Sequence, residues 1–300
     1  MKNTLALAYI KLTISSIFFG VLVFGGQIMR NQGFSLIEII VLPSSIVAIC
    51  LAWFSRKDIK KFCSVPLWMI ILYLISATFG QLGQFAPLFL GLSVSLTVFL
   101  LYTQPLWTTL ISTIFLKTPF TSKEGTLMGI MIVGLIFLLS PWEDFQFSIL
   151  GFILAIMGGI CMSVWIMLNS YFVKKELKPV SLTFIASIYT AVPLIVFYPI
   201  FAHLFPTGEM SGINLDKSFN MWGAVIAYSI IGIVLAQMLF YNAAKKINNV
   251  HLGLVLLLEP VVAAILDVSF LGTTLTWNIL FGGFLILAAN AYLILKSATK

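Results

Sequence analysis

The sequence predicts an all-α integral membrane protein whose ten transmembrane helices form two inverted five-helix repeats. Three observations carry that expectation. The first is composition: 60% of the residues are hydrophobic, 9% are charged, and the mean hydropathy is +1.08. Soluble domains run at about 45–50% apolar and about 25% charged. The second is a series of ten apolar stretches, each near the ~20 residues that a spanning helix requires. The third is internal repetition. Leu116 to Thr121 (Leu-Lys-Thr-Pro-Phe-Thr) reads against Leu271 to Thr276 (Leu-Gly-Thr-Thr-Leu-Thr), and Pro105 against Pro260, at one constant offset. A unit of five spans starts and ends on opposite sides of the bilayer, so its second copy must enter upside down. Residues 1–141 form the first repeat, 142–148 the link and 149–300 the second repeat.

Span 1 (12–29) follows Lys2 and Lys11. Its run resembles a signal peptide, but no small-x-small cleavage site follows, so an uncleaved first helix is expected. Ser16, Gly20 and Gln27 lie approximately on one stripe of it. Spans 2 (36–54) and 3 (66–90) flank a basic loop bearing Arg56, Lys57, Lys60 and Lys61. Span 3 carries Gln81 and Gln84 three residues apart, hence on one face, with Gly80 and Gly83 beside them. Only Gly91 to Ser93 separates it from span 4 (94–116), which makes the two antiparallel neighbours. In span 4, Tyr102, Pro105, Thr109 and Ser112 share a face, and Gln104 and Thr108 share the next.

Span 5 (125–141) holds a Gly125-xxx-Gly129 spacing, and Gly282-Gly283 occupies the corresponding region of span 10 (276–295). Small residues allow close helix approach in lipid, so these glycines are expected at equivalent contacts, against each other or at a homodimer seam. The link Trp142 to Ser148 carries Glu143 and Asp144. Span 6 (149–172) places Trp165 and Asn169 four apart, and span 7 (181–204) is read as continuous. The segment Phe205 to Ser218 is the longest and most polar loop, with nothing in it resembling a binding domain. Span 8 (219–243) repeats polar groups through Ser229, Gln237 and Tyr241; span 9 (250–271) has Glu259 before Pro260 and Asp267 eight residues on.

The net charge of +7 is a topology signal. With the N-terminus assigned to the cytoplasm, 15 of the 17 Lys and Arg residues fall on that side, and only Arg30 and Lys217 lie opposite. This is the positive-inside asymmetry, with both termini cytoplasmic. It leaves no basic surface for nucleic acid. The short loops exclude an ATP-hydrolysing module, and no phosphate-binding loop ending in Gly-Lys-Ser/Thr is present. Cys50, Cys63 and Cys161 lack metal-ligand spacing and read as packing residues. His203 and His251, at span edges, read as interface residues, and Trp53 and Trp107 as members of the aromatic belt. No catalytic constellation, cofactor motif or metal site is legible, so an enzyme is not expected.

A polar group inside the bilayer is costly, about 2.5–3.5 kcal/mol for a mid-helix charge. Those that persist face a cavity or a partner. Candidate substrate-binding residues are therefore Gln27, Gln81, Gln84, Tyr102, Gln104, Trp165, Asn169, Gln237, Tyr241 and Glu259. Proline frees a carbonyl one turn back, so polar groups and water can gather around Pro105 and Pro260. A carboxylate at Glu259 has three readings: a proton-exchanging group, with Asp267 as a second candidate, a partner for a substrate ammonium, or a residue satisfied locally by Gln and Tyr neighbours.

Tyr102 to Leu106 (Tyr-Thr-Gln-Pro-Leu) with Leu116 to Thr121, and Leu258 to Val262 (Leu-Glu-Pro-Val-Val) with Leu271 to Thr276, each resemble the proline-bearing helix and following turn of EamA-type members of the drug/metabolite transporter superfamily. The resemblance runs nearly end to end. It departs from the family pattern at Thr118 and Thr273, where a glutamate is usual, at Phe19-Gly20 in place of Trp-Gly, and at Pro43 in place of an arginine. The resemblance implies a central cavity lined mainly by spans 1, 3, 4, 6, 8 and 9, and small-metabolite substrates such as amino acids. The expected protein is an inner-membrane secondary active transporter moving a small polar or amphipathic solute by alternating access. The alternative is a lipid or lipid-linked sugar flippase. Its partners are that solute and the lipid bilayer, as a monomer or a homodimer.

Overall fold

A computed structural model describes residues 2–298 apart from 118, 144 and 145, so Thr118 and Asp144 lie outside the described residues. Ten apolar helices are each long enough to cross a membrane: Thr4–Asn31, Leu36–Arg56, Leu67–Phe89, Val94–Phe115, Ser122–Leu139, Ile149–Lys174, Pro179–Val196, Phe219–Ala244, Asn249–Phe270 and Trp277–Ser297. They are spans 1 to 10 below, each end within eight residues of the sequence expectation.

Their starting points are written locally. Ser35, Ser93, Thr121, Ser148, Ser218 and Asn248 each accept a hydrogen bond from the backbone N–H three residues on, at the heads of spans 2, 4, 5, 6, 8 and 9. Spans 2 and 5 add the reciprocal bond from Glu38 and Glu124, completing capping boxes. The tight turns after spans 1, 3 and 9 pass through Gly33, Gly91 and Gly272 at positive φ, a conformation that costs a side chain dearly.

Two spans are broken at matching places. Span 4 consists of Val94–Leu101 and Gln104–Phe115; span 9 of Asn249–Leu256 and Leu258–Phe270. Each break stands within a turn of Pro105 or Pro260, whose rings cannot donate to the preceding turn. Serines from the leading span of each half enter these sites. Ser163 Oγ donates to the Gln104 carbonyl at 2.8 Å, and Ser16 Oγ to the Val255 carbonyl at 3.3 Å.

The dominant packings are span 3 on span 6, 2 on 7, 5 on 10, and 1 on 8 and 9, with spans 4 and 9 also in contact and span 4 on span 6. Exchanging each span with the one five places away maps this set onto itself. Glycines let backbones touch: a Cβ on Gly83 would lie 2.3 Å from Gly158 Cα, joining spans 3 and 6.

Two expectations are corrected. The seam of spans 5 and 10 runs through Gly134 and Gly282, where a Cβ on Gly282 would meet the Gly134 carbonyl at 2.4 Å; Gly129 has nothing within 4 Å of such an atom, and Gly125 meets only the Phe120 ring. Periodicity identified a small-residue stripe but not the face that the neighbour occupies. Span 7 ends at Val196, and a separate helix, Tyr198–Leu204, follows with Pro199 in its first turn. The polar loop 205–218 contains the short helix Gly208–Ser211, whose Met210 is buried in one cluster with Phe34, Leu36 and Ile37.

Candidate functional site

Spans from both halves converge on a central cavity of ≈ 70 Å³. A single water occupies about 10–15 Å³ on this measure, so the space admits a few waters. Its polar lining is Gln81 and Gln84 of span 3, Gln237 of span 8, Glu259 of span 9, and Ser44, Ser76, Ser187 and Thr190. Trp165, Phe19 and Tyr228 supply aromatic surface. Neither Lys, Arg nor His is among the lining residues.

Glu259 reaches this cavity because span 9 breaks just before it. Its side chain is buried, and Oε2 accepts a 2.8 Å hydrogen bond from the Tyr102 hydroxyl, which comes from the broken segment of span 4. Against it, the backbone of span 1 approaches closely: a Cβ on Gly20 would lie 2.9 Å from the Glu259 carbonyl. The carboxyl is thus fixed between the halves.

A second network stands behind Trp165. The Tyr241 hydroxyl donates to Gln237 Oε1 at 3.1 Å, the Tyr73 hydroxyl to Asn169 Oδ1 at 2.8 Å, and Asn169 Nδ2 to the Trp165 carbonyl at 2.7 Å. Trp165 stacks on Phe240, with ring centroids 5.3 Å apart. On the opposite wall, span 8 widens into a π-helical segment, Tyr228–Leu235, which contributes Tyr228 and Ile233. Such segments are rare and frequently mark functional positions.

Among the candidate residues, Gln81, Gln84, Trp165, Gln237 and Glu259 line the cavity. Tyr102, Asn169 and Tyr241 are buried one layer behind and touch the lining through the bonds above. Gln104, Gln27 and Asp267 are outside it. Gln104 Nε2 donates to Thr108 Oγ1 at 2.5 Å, and would meet a Cβ on Gly253 at 2.9 Å. Gln27 is half-buried near the end of span 1, and Asp267 is half-buried with an Oδ1 that has no hydrogen-bond partner among the described residues. Span 4 is absent from the lining, whereas spans 2 and 7 take part. Treating span 4 as one straight helix put Tyr102 and Gln104 on a cavity stripe; the break after Leu101 withdraws them.

Two polar ties between the halves escaped the sequence reading. Glu38 accepts from Asn214 N at 2.7 Å and pairs with Lys217 Nζ at 3.1 Å, both side chains being buried, while Ser35 Oγ donates to the Gly212 carbonyl. At the other end, His251 bonds the Tyr9 hydroxyl through Nδ1 and Glu124 Oε1 through Nε2 at 2.9 Å. The signal for both was present: Ser35-x-x-Glu38 and Thr121-x-x-Glu124 are capping boxes that place a carboxylate at each span head. His203 is exposed, and Trp53 is exposed beneath Arg56, 4.0 Å from its ring.

Fold and cavity define a multi-pass membrane protein with a polar site enclosed between its halves. Residues 149–295 match the EamA-like transporter family, and the described residues form ten apolar helices long enough to cross a membrane. No curated protein matches the sequence. One solved crystal structure superposes with a TM-score of 0.72 over 97% of this chain and 96% of the other, at 15% identity. That likeness concerns the fold.

Proposed function

We propose that this protein is a secondary active transporter of a small polar or amphipathic metabolite, an amino acid or a related solute. Residues 1–141 and 149–300 act as inverted repeats that rock about the central cavity, with 142–148 as the link. The single observation that carries this reading is the composition of that cavity. It is buried, drawn from both halves, and offers three amides, one carboxyl and an indole without a cation. Amides and a carboxyl suit a zwitterion or a hydroxylated solute, whereas a phosphorylated one would call for Arg or Lys.

Support for inverted repeats comes from the self-exchanging packing pattern, from the paired breaks before Pro105 and Pro260, and from a family match that begins at 149. In this account Gln81, Gln84, Trp165, Gln237 and Glu259 contact the solute. Tyr102, Asn169 and Tyr241 orient them. Glu259 exchanges the coupling proton, and Asp267 has the weaker case because it is off the cavity. The Glu38–Lys217 and Glu124–His251 ties hold the two ends of the bundle and must part in turn. The charge asymmetry favours an inner-membrane location with both termini cytoplasmic.

A flippase would need polar groups along a groove open to lipid. The groove between spans 3, 6 and 7 instead has an almost wholly apolar wall, including Phe79, Leu82, Leu154 and Phe197. Proteoliposome uptake of labelled metabolites, with and without a pH gradient, tests the proposal. Gradient-driven accumulation of one solute class is expected. Uptake of none, alongside scrambling of a labelled lipid, would overturn it.

A further inference from the structure

A much larger cavity, ≈ 760 Å³ and open to the surface, lies at the end of the bundle where spans 5 and 9 begin and spans 8 and 10 finish. Its charge comes from three separate elements. Lys123 stands in the first turn of span 5, Lys246 in the turn after span 8, and Lys296 in the last turn of span 10. Among the described lining residues Glu124 is the one carboxylate, and it is already engaged, by His251 at 2.9 Å and by Thr121 N and Oγ1 at 2.8 Å each. Lys296 Nζ donates to the exposed Tyr292 hydroxyl at 2.9 Å, one turn back on the same helix.

Four helix ends meet at this cavity. The heads of spans 5 and 9 present the positive ends of their dipoles through Thr121, Ser122 and Asn248. The tails of spans 8 and 10 present negative ends, and Lys246 and Lys296 stand there. Leu5, Leu127 and Leu293 form apolar patches of the same cavity. A site whose lining combines three lysines with three leucines, at the ends of membrane helices, matches an ionic headgroup joined to acyl chains.

We propose that this cavity binds a phosphate-bearing anion, and that its position among span ends makes the phosphodiester headgroup of an anionic phospholipid the favoured source. The site is separate from the central cavity and shares no lining residue with it.

The test measures binding to the full chain in detergent, by native mass spectrometry and thermal unfolding. Probes are phosphatidylglycerol, phosphatidylcholine and inorganic phosphate. Phosphatidylglycerol should bind saturably and raise the melting temperature, with phosphatidylcholine doing neither. Lys123→Ala and Lys296→Ala should each weaken phosphatidylglycerol roughly fivefold, the effect of one basic residue near an anionic surface. Lys123→Arg, which keeps the charge, should retain binding and controls for folding. Lys60→Ala/Lys61→Ala, in the last turn of the helix Leu36–Cys63 and outside this lining, should leave it unchanged. Inorganic phosphate acting through the same lysines while phosphatidylglycerol gives no stabilisation supports the site with a soluble source. Equal binding of both lipids, or equal loss in the Lys60/Lys61 variant, overturns the proposal.

Discussion

The Tyr102 hydroxyl donates a 2.8 Å hydrogen bond to Glu259 Oε2, and the two residues belong to opposite halves of the chain at equivalent helix breaks. Each half thus contributes one member of the pair that sets the position of the only cavity carboxyl among the lining residues. Tyr102→Phe removes the donor without changing the volume. A buried hydrogen bond of this kind contributes about 1–3 kcal/mol. The variant should melt at a lower temperature, and its apparent affinity for substrate should fall, measured by unfolding in detergent and by concentration-dependent uptake. Unchanged values in both would remove Tyr102 from the site.

Glu259→Gln keeps the hydrogen-bond acceptor but cannot exchange a proton near neutral pH. In proteoliposomes it should lose pH-gradient-driven accumulation yet retain solute counterflow. Loss of both would point to a purely structural residue, and retention of accumulation would exclude it as the coupling group.

Gly83 faces the backbone of Gly158, whereas Gly129 faces open space. Gly83→Ala should therefore destabilise by about 1–3 kcal/mol, the range for forcing an extra methyl into a packed contact. Gly129→Ala should be neutral or slightly stabilising, since alanine is the better helix former. Thermal unfolding of the two variants side by side decides this, and equal losses would contradict the packing.

Lys217 and Glu38 form a buried ion pair, and Lys217 also lies over the Phe34 ring at 4.4 Å. Lys217→Ala strands the carboxylate and should cost about 3–5 kcal/mol. Glu38→Gln/Lys217→Met should recover part of that, because glutamine still caps span 2. Limited proteolysis within 205–218 should accelerate in the single variant and less in the double one.

What was legible in the sequence followed from composition and from chain-local chemistry. The ten spans were readable because lipid demands unbroken apolar runs, and Pro105 and Pro260 marked where a backbone carbonyl is freed. Gln81 and Gln84 were found from spacing three apart on one helix. What escaped depended on partners remote in the chain. Glu38 was passed over, since nothing local announces Lys217 or Asn214. Gly134 was passed over for Gly129 because periodicity cannot tell a lipid-facing stripe from a helix-facing one. Gln104 was drawn to the cavity by treating span 4 as straight, and the π-helical segment of span 8 had no proline or glycine pair to mark its limits.

Access to Gln81 from the two sides of the membrane tests the central claim most directly. In a background with Cys50, Cys63 and Cys161 replaced by alanine, Gln81→Cys is labelled from each side by a membrane-impermeant thiol reagent, with and without transported solute. Reciprocal change is expected, one side losing reactivity as the other gains it. Reactivity from one side alone under every condition would contradict a cavity that serves both.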